Sequence, residues 1–194
     1  MDKKVERLNL DQIRYVYRNF MKKDFPDNER KPFAMIEKAV ADKAYDCFGL
    51  FEENEICGYA FFVKCESADS KVDYLFDYFA IKKELRDQGW GSMFLKMLKE
   101  YFPDGNSMLG EVENPDRAAD PDARTLQTRR LQFYLRNGIR DTGVTARVFG
   151  VEYRILEYVL TDAHSEEQVK EIYSKIYHSI LPGWIYRSKI RIYE

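Results

Sequence analysis

The chain has 194 residues, of which 45% are hydrophobic and 15% aromatic, a composition typical of a folded globular protein. Its formal net charge of −2 gives no electrostatic reason to expect nucleic acid or a membrane surface as a partner. The three cysteines have neither metal-ligand nor disulfide spacing, and no apolar run is long enough to span a membrane, so we expect a cytoplasmic protein.

The N-terminal half of the chain alternates between strand-like and helix-like patterns. These patterns predict a short strand, two helices and a two-stranded hairpin. In chain order the elements span residues 5–10, 11–23, 32–43, 47–51 and 56–64. A loop at 67–71 is predicted to lead into a buried strand at 74–81.

The C-terminal half begins with a helix that ends near residue 101 and continues with a strand, a loop, a helix and two strands. Their predicted spans are 108–113, 114–123, 124–136, 142–148 and 151–160. In the tail, a helical pattern from residue 165 is separated by Pro182-Gly183 from an alternating run, 185–192, that predicts a strand. We therefore divide the chain into an α/β domain, 1–162, and a helix-plus-strand extension, 163–194.

The junction between the strand at 74–81 and the next helix is the most informative segment. It reads Arg-Asp-Gln-Gly-Trp-Gly over 86–91. The first N–H groups of a helix have no intrahelical partner and lie at the positive end of its dipole, so they form a ready phosphate site. Gly89 and Gly91 allow a ligand to approach the backbone, and Arg86 can add a charge-assisted contact. The spacing fits neither a P-loop nor a dinucleotide fingerprint.

The pattern Arg-x-x-Gly-x-Gly resembles the pyrophosphate-binding signature of the GNAT superfamily, the acetyl-CoA-dependent N-acyltransferases. A second segment, 129–139, resembles the other signature of that superfamily, in which an aromatic-Tyr pair precedes Gly-Phe. The resemblance implies an α/β GNAT fold across about 3–160. Such a fold has a mixed, mostly antiparallel central sheet with a splayed parallel strand pair and flanking helices. It also implies acetyl-CoA as co-substrate.

In this superfamily the pantetheine arm pairs with the backbone of the strand before the phosphate turn, like an added β-strand. By resemblance, a backbone N–H near Phe79 would hold the thioester carbonyl. The residues predicted to contact the co-substrate are Phe79, Ala80, Ile81, Arg86, Asp87, Gln88, Gly89, Trp90, Gly91, Ser92 and Gln127. Tyr134, in the second signature, is the predicted acid that protonates the departing thiolate.

Several groups are candidates for the base that removes the proton of the amine. Glu111 and Glu113 alternate along the strand at 108–113, so they lie on one face of the sheet. Crowded carboxylates are suited to accept a proton, and either residue is a candidate. Asp77 on the neighbouring strand is a third candidate, and a chain of water molecules is the alternative. No metal is predicted, because no ligand spacing is present.

The sequence thus predicts an N-acetyltransferase that moves the acetyl group of acetyl-CoA to a primary amine by direct attack. The expected acceptor is a small-molecule or peptide amine. An acidic lip formed by Asp116, Asp120 and Asp122 with the two glutamates would favour a cationic acceptor, and 25–32 would wall its pocket. The alternative is a non-catalytic acyl-CoA-binding or protein-interaction module on the same fold. The strand-like tail motivates that alternative, and a homodimer through the extension is a further expectation.

Overall fold

Strands and helices follow one another along the chain largely as predicted. The computed structural model describes residues 2–27, 29–66 and 71–193, so most of the predicted loop at 67–71 lies outside the described residues. The chain divides into two compact units. The first unit comprises Met1–Lys64 and Phe76–Pro103, and the second comprises Cys65–Leu75 and Asp104–Glu194.

The first unit holds the N-terminal helices, the hairpin and the helix after the phosphate turn. Its elements are β1 (Lys3–Arg7), α1 (Leu10–Val16), a π-helical segment (Tyr17–Met21), α2 (Lys22–Asp24), α3 (Phe33–Ala41), β2 (Tyr45–Glu52), most of β3 (Glu55–Glu66), the end of β4 (Val72–Ile81) and α4 (Trp90–Leu98). The predicted hairpin is confirmed, because β2 and β3 pair antiparallel across a tight turn with Glu53 in the left-handed region.

The first strand ends earlier than predicted because Asn9 begins the helix. The Asn9 side chain accepts from the Gln12 main-chain N–H, and the Gln12 side chain accepts from the Asn9 N–H, each at 2.9 Å. This capping box satisfies two main-chain donors and places the helix start at Leu10.

The second unit holds the rest of the sheet and the tail. Its elements are β5 (Gly105–Glu113), α5 (Pro121–Arg136), β6 (Arg140–Val148), β7 (Val151–Val159), α6 (Glu166–Ile180), α7 (Gly183–Lys189) and β8 (Ile190–Tyr193). The strand order is β1-β2-β3-β4-β5-β7-β6-β8, and β4 and β5 are the parallel pair. Within the second unit the start of β4 lies beside β5, where the Val72 N–H donates to the Asp104 carbonyl at 3.2 Å.

The predicted strand at 185–192 is wrong over most of its length. Residues Gly183–Lys189 form helix α7, and only Ile190–Tyr193 form a strand, which pairs antiparallel with β6. The Tyr186 ring stacks on His178 of α6 at 3.7 Å, and its hydroxyl lies 2.8 Å from Ser174 Oγ. These contacts with α6 favour a helical turn over the strand that the alternation indicates.

A buried polar network anchors the start of the tail to the sheet. His164 Nδ1 lies 2.5 Å from Glu157 Oε1 and 3.1 Å from Ser107 Oγ. Arg140 donates to Glu157 Oε2 at 2.7 Å and also bonds the His164 carbonyl. Because Glu157 and Ser107 are fully buried, these partners supply the hydrogen bonds that water would otherwise give.

The three cysteines, Cys47, Cys57 and Cys65, are free and buried. Burial raises the pKa of each thiol above its ordinary value. Within the described ranges, no helix is both long enough and apolar enough to cross a bilayer.

Candidate active site

The predicted phosphate-binding turn, 86–91, leads from β4 into α4. After β4 the chain forms a short 3-10 turn, Lys83–Leu85, and then reverses through two residues with positive φ before α4 begins. Asp87 has φ 63° and Gly89 has φ 83°. A side chain at Gly89 would meet nothing within 4 Å, so the conformation rather than space requires glycine there.

The first amides of α4 are available to a ligand. No side chain caps the helix, and its first main-chain bond runs from the Met93 N–H to the Gly89 carbonyl at 3.0 Å. Among the described residues, therefore, the N–H groups of Gly91 and Ser92 have no acceptor. Both residues are partly exposed, at the positive end of the helix dipole.

Arg86 is held against the end of β4. Its Nε donates to the Ile81 carbonyl at 2.9 Å, and its guanidinium pairs with Asp24 of α2 at 2.6 Å. The guanidinium is half-exposed at the rim of the turn. Sequence reasoning missed Asp24, which stands 62 positions earlier in the chain. Arg86 is thus placed by the fold, and its contact with phosphate stays a prediction.

The other polar and aromatic side chains of the turn stabilise its shape. The Gln88 side chain donates to the Glu84 carbonyl at 2.8 Å. The Trp90 ring is buried under the ammonium group of Lys3, 4.1 Å from the ring centroid. These two residues can therefore offer a ligand their main-chain atoms more readily than their side chains.

Close packing fixes the end of β4, where the pantetheine arm is predicted to pair. The Phe79 ring stacks on Phe94 of α4 at 5.5 Å. Ala80 and Ile81 are buried, and a side chain at Gly58 of β3 would approach Ile81 Cδ1 to 2.6 Å. Glycine at this position therefore lets β3 approach β4 closely.

Asp77, the third candidate base, already has a charged partner. It forms an ion pair with Lys31 and accepts a hydrogen bond from the Tyr45 hydroxyl. Next to it, the Tyr78 hydroxyl accepts from the Lys31 N–H at 2.8 Å and donates to the Glu29 carbonyl at 3.1 Å. The segment predicted to wall the acceptor pocket is thus fixed to β4 at two points.

Glu113 also has a charged partner. Its carboxylate forms an ion pair with Arg130 of α5, and the Gln127 side chain donates to Oε1 at 3.4 Å. Gln127 Oε1 is buried and has no hydrogen-bond partner among the described residues. A ligand that donates a hydrogen bond would satisfy that atom.

Glu111 accepts hydrogen bonds from the tail. The hydroxyls of Tyr173 and Tyr177 on α6 both donate to Glu111 Oε1, the latter at 2.5 Å. Sequence reasoning missed both tyrosines, because the helical pattern of the tail predicts only that they share an apolar face.

Helix α5, which carries Tyr134, packs along β5. Gln127, near the start of α5, contacts Glu113. Just after α5 ends, Arg140 pairs with Glu157 of β7, and Glu157 also pairs with Leu109 of β5. Helix α5 therefore runs antiparallel to β5, from the level of Glu113 towards that of Leu109. Tyr134 lies in the last turn of α5.

The Tyr134 side chain is partly exposed as a whole, but its hydroxyl is desolvated. Burial raises the pKa of that hydroxyl to about 12, while the positive charge of Arg130 lowers it in part. Tyr134 therefore keeps its proton throughout the neutral range, as a proton donor must. Its transfer to a free thiolate is uphill by roughly 5 kcal/mol.

Two aspartates of the predicted acidic lip bond to other groups of the protein. Asp120 caps α5 by accepting from the Ala123 N–H at 2.8 Å, and Asp116 pairs with Arg154 at 2.7 Å. Asp122 is exposed in the first turn of α5. Among the described residues, no group of three or more histidine, cysteine, aspartate or glutamate side chains is arranged to hold a metal ion.

A helix start with open amides, placed after a strand of a mixed α/β sheet, is suited to bind a phosphate group. The Acetyltransferase (GNAT) family matches residues 10–124, which is more than half of the chain, and the chain belongs to that family. The predicted family and fold are thereby confirmed.

Solved structures of the same fold include three informative neighbours. A protein assigned to the GNAT acetyltransferases from Bacteroides thetaiotaomicron has a TM-score of 0.68 and 17% identity, over 90% of this chain and 96% of that one. A point mutant of the spermidine N-acetyltransferase from Vibrio cholerae has a TM-score of 0.60 and 11% identity, over 81% and 94%. An acetyltransferase from Bacillus subtilis in complex with CoA has a TM-score of 0.55 and 13% identity, over 82% and 100%. No curated protein matches the chain.

Proposed function

We propose that this GNAT acetyltransferase transfers the acetyl group of acetyl-CoA to the nitrogen of a primary amine by direct attack. The observation that carries the proposal is the start of α4. There, the Gly91 and Ser92 amides have no acceptor among the described residues, and Gly89 turns the chain with no side chain in the way. A diphosphate is the group that such a helix start accommodates.

Glu111 and Tyr134 are the residues that we assign to proton transfer. Glu111 lies on β5 and Tyr134 on α5, and the contact between these two elements supports the pairing. Glu111 would receive the proton of the amine, and Tyr134 would protonate the leaving thiolate. Glu113 and Asp77 form ion pairs with Arg130 and Lys31. We rank Glu111 first because two hydrogen bonds from hydroxyls of the tail orient its carboxylate.

The proposed acceptor is a cationic amine of a small molecule or a peptide. The carboxylates of β5 and of the following loop support this class, because they attract an ammonium group. One structural neighbour is a spermidine N-acetyltransferase, which makes spermidine a sensible first probe. We also retain a cytoplasmic location as the expectation, with which three free buried cysteines are consistent.

Substitutions at Ser92 test the co-substrate site. Ser92→Asp places a negative charge where the diphosphate is expected, yet an acid in the first turn suits the helix dipole. We expect calorimetry to give at least tenfold weaker acetyl-CoA binding, about 1.4 kcal/mol, without loss of thermal stability. Ser92→Asn is the matched neutral control and should bind nearly as the wild type does. Equal affinity in the two variants would contradict the proposed site.

A panel of amines tests the reaction itself. Purified protein, acetyl-CoA and single amines, spermidine among them, are followed by release of free CoA and by mass spectrometry of the acetylated amine. The proposal expects turnover with at least one cationic amine. Tight acetyl-CoA binding without turnover across the panel would favour the alternative, a non-catalytic binding module.

A further inference from the structure

The tail supplies two donors to one oxygen of the proposed base. Tyr173 and Tyr177 lie four residues apart on α6, so they face the same way. Their rings pack edge to face at 5.0 Å, and both hydroxyls donate to Glu111 Oε1. The tyrosines are 0% and 7% exposed, so water cannot easily replace these bonds.

We propose that Tyr173 and Tyr177 are positioning residues for acetyl transfer, which hold the Glu111 carboxylate ionised and in one orientation. The extension at 163–194 then supplies residues that support the active site. This inference rests on the proposed function, in which Glu111 receives the proton of the amine.

The chemistry of the donors indicates the ionised form of Glu111. A carboxylate is purely an acceptor and can satisfy both hydroxyls, whereas a carboxylic acid brings a proton of its own that also needs an acceptor. Burial, and next the Glu111 charge, raise the pKa of Tyr173 well above its ordinary value. The Tyr173 hydroxyl therefore remains a donor at any pH at which the enzyme works.

Helix α6 can hold Glu111 in place because it is fixed by other contacts. Ser165 and Gln168 form a capping box at its start. The residue before it, His164, belongs to the buried network with Glu157 and Arg140. The position of the two hydroxyls is thus set by the fold and not by Glu111 itself.

Removal of single hydroxyls tests the inference. Tyr173→Phe and Tyr177→Phe keep the rings that fill the core and delete one donor each. We expect kcat/KM for the amine to fall about tenfold per hydroxyl, as for loss of one charge-assisted hydrogen bond. The acidic limb of the pH profile should move to higher pH, because the charged carboxylate loses support. The affinity for acetyl-CoA should stay unchanged.

Tyr186→Phe is the matched control. The Tyr186 hydroxyl belongs to the same tail but bonds with Ser174, so its loss should change neither kcat/KM nor the pH profile. Each variant is first checked for an unchanged thermal midpoint. If Tyr173→Phe does not fold, Tyr177→Phe alone decides, since that tyrosine is the less buried of the two.

Glu111→Gln separates failure of the inference from failure of the proposed function. Full activity in Glu111→Gln would remove Glu111 from the reaction and so reject its assignment as the base, on which the inference rests. An inactive Glu111→Gln beside tyrosine variants with wild-type kinetics would reject the positioning role alone. In the Glu111→Gln background, Tyr177→Phe should have no further effect on residual activity; an additive loss would overturn the inference.

Discussion

Glu111, Glu113 and Asp77 are three carboxylates that the sequence marks as candidates but cannot rank. Glu111 accepts hydrogen bonds from Tyr173 and Tyr177 of the tail. Glu113 pairs with Arg130 of α5, and Asp77 pairs with Lys31. The two tyrosines stand 62 and 66 positions from Glu111, the arginine 17 from Glu113 and the lysine 46 from Asp77. Local pattern carries no information on such pairs, so the candidates were predictable from the sequence and their electrostatic surroundings were not.

Tyr134→Phe removes the proposed proton donor. Because the hydroxyl is desolvated and protonated at neutral pH, we expect kcat to fall by about 100-fold or more, within the range for loss of general acid catalysis. The dissociation constant for acetyl-CoA should hardly change. Steady-state kinetics and calorimetry measure the two quantities. An unaltered kcat would remove Tyr134 from the reaction.

At the scale of helices and strands, the sequence predicts what periodicity and turn residues encode. The hairpin of β2 and β3, the helix α4 and the strands β4 and β5 follow from local pattern. The predicted bounds or element types are wrong where a capping side chain or a packed neighbour determines the local structure. Asn9 starts α1 before the predicted residue, Asp120 starts α5 before residue 124, and contacts with α6 convert 183–189 from strand to helix.

Asp120→Ala tests how far one cap stabilises α5, the helix that carries Gln127 and Tyr134. The cap satisfies the Ala123 N–H, so its loss should lower the free energy of unfolding by about 1 kcal/mol. Asp122→Ala is the matched control, because Asp122 is exposed and outside the cap. Urea unfolding of both variants measures the difference. Equal destabilisation would mean that charge near the helix start matters more than the cap.

At the scale of the whole chain, resemblance to a family predicts the fold where pattern alone does not. Local pattern yields the order of elements along the chain, but not that β7 lies between β5 and β6 or that β8 pairs with β6. Those pairings join residues far apart in sequence. The network around His164 is similarly non-local, and it shows why the tail cannot be interpreted from its own residues.

Buried tyrosines should make the protein sensitive to alkali. Burial raises the pKa of Tyr59, Tyr78, Tyr134 and Tyr173. In the unfolded chain these hydroxyls ionise near pH 10, so the unfolded state loses protons first and stability falls as pH rises above about 10. For Tyr134, with a pKa of about 12, the loss is roughly 2 kcal/mol by pH 12.

Urea unfolding between pH 9 and about pH 11 measures this loss, and Tyr134→Phe should show a shallower fall than the wild type. Stability that stays flat across this window would contradict the assignment of buried hydroxyls.

The burial of Cys47, Cys57 and Cys65 has a practical consequence for enzymology. Disulfide dyes that react with thiolates report liberated CoA, but they also label accessible protein sulfhydryls. Because all three side chains are shielded and hold their protons, the native enzyme should leave such a dye almost untouched. Colour that develops during turnover would then measure product directly, whereas denatured protein should consume three equivalents of reagent per chain.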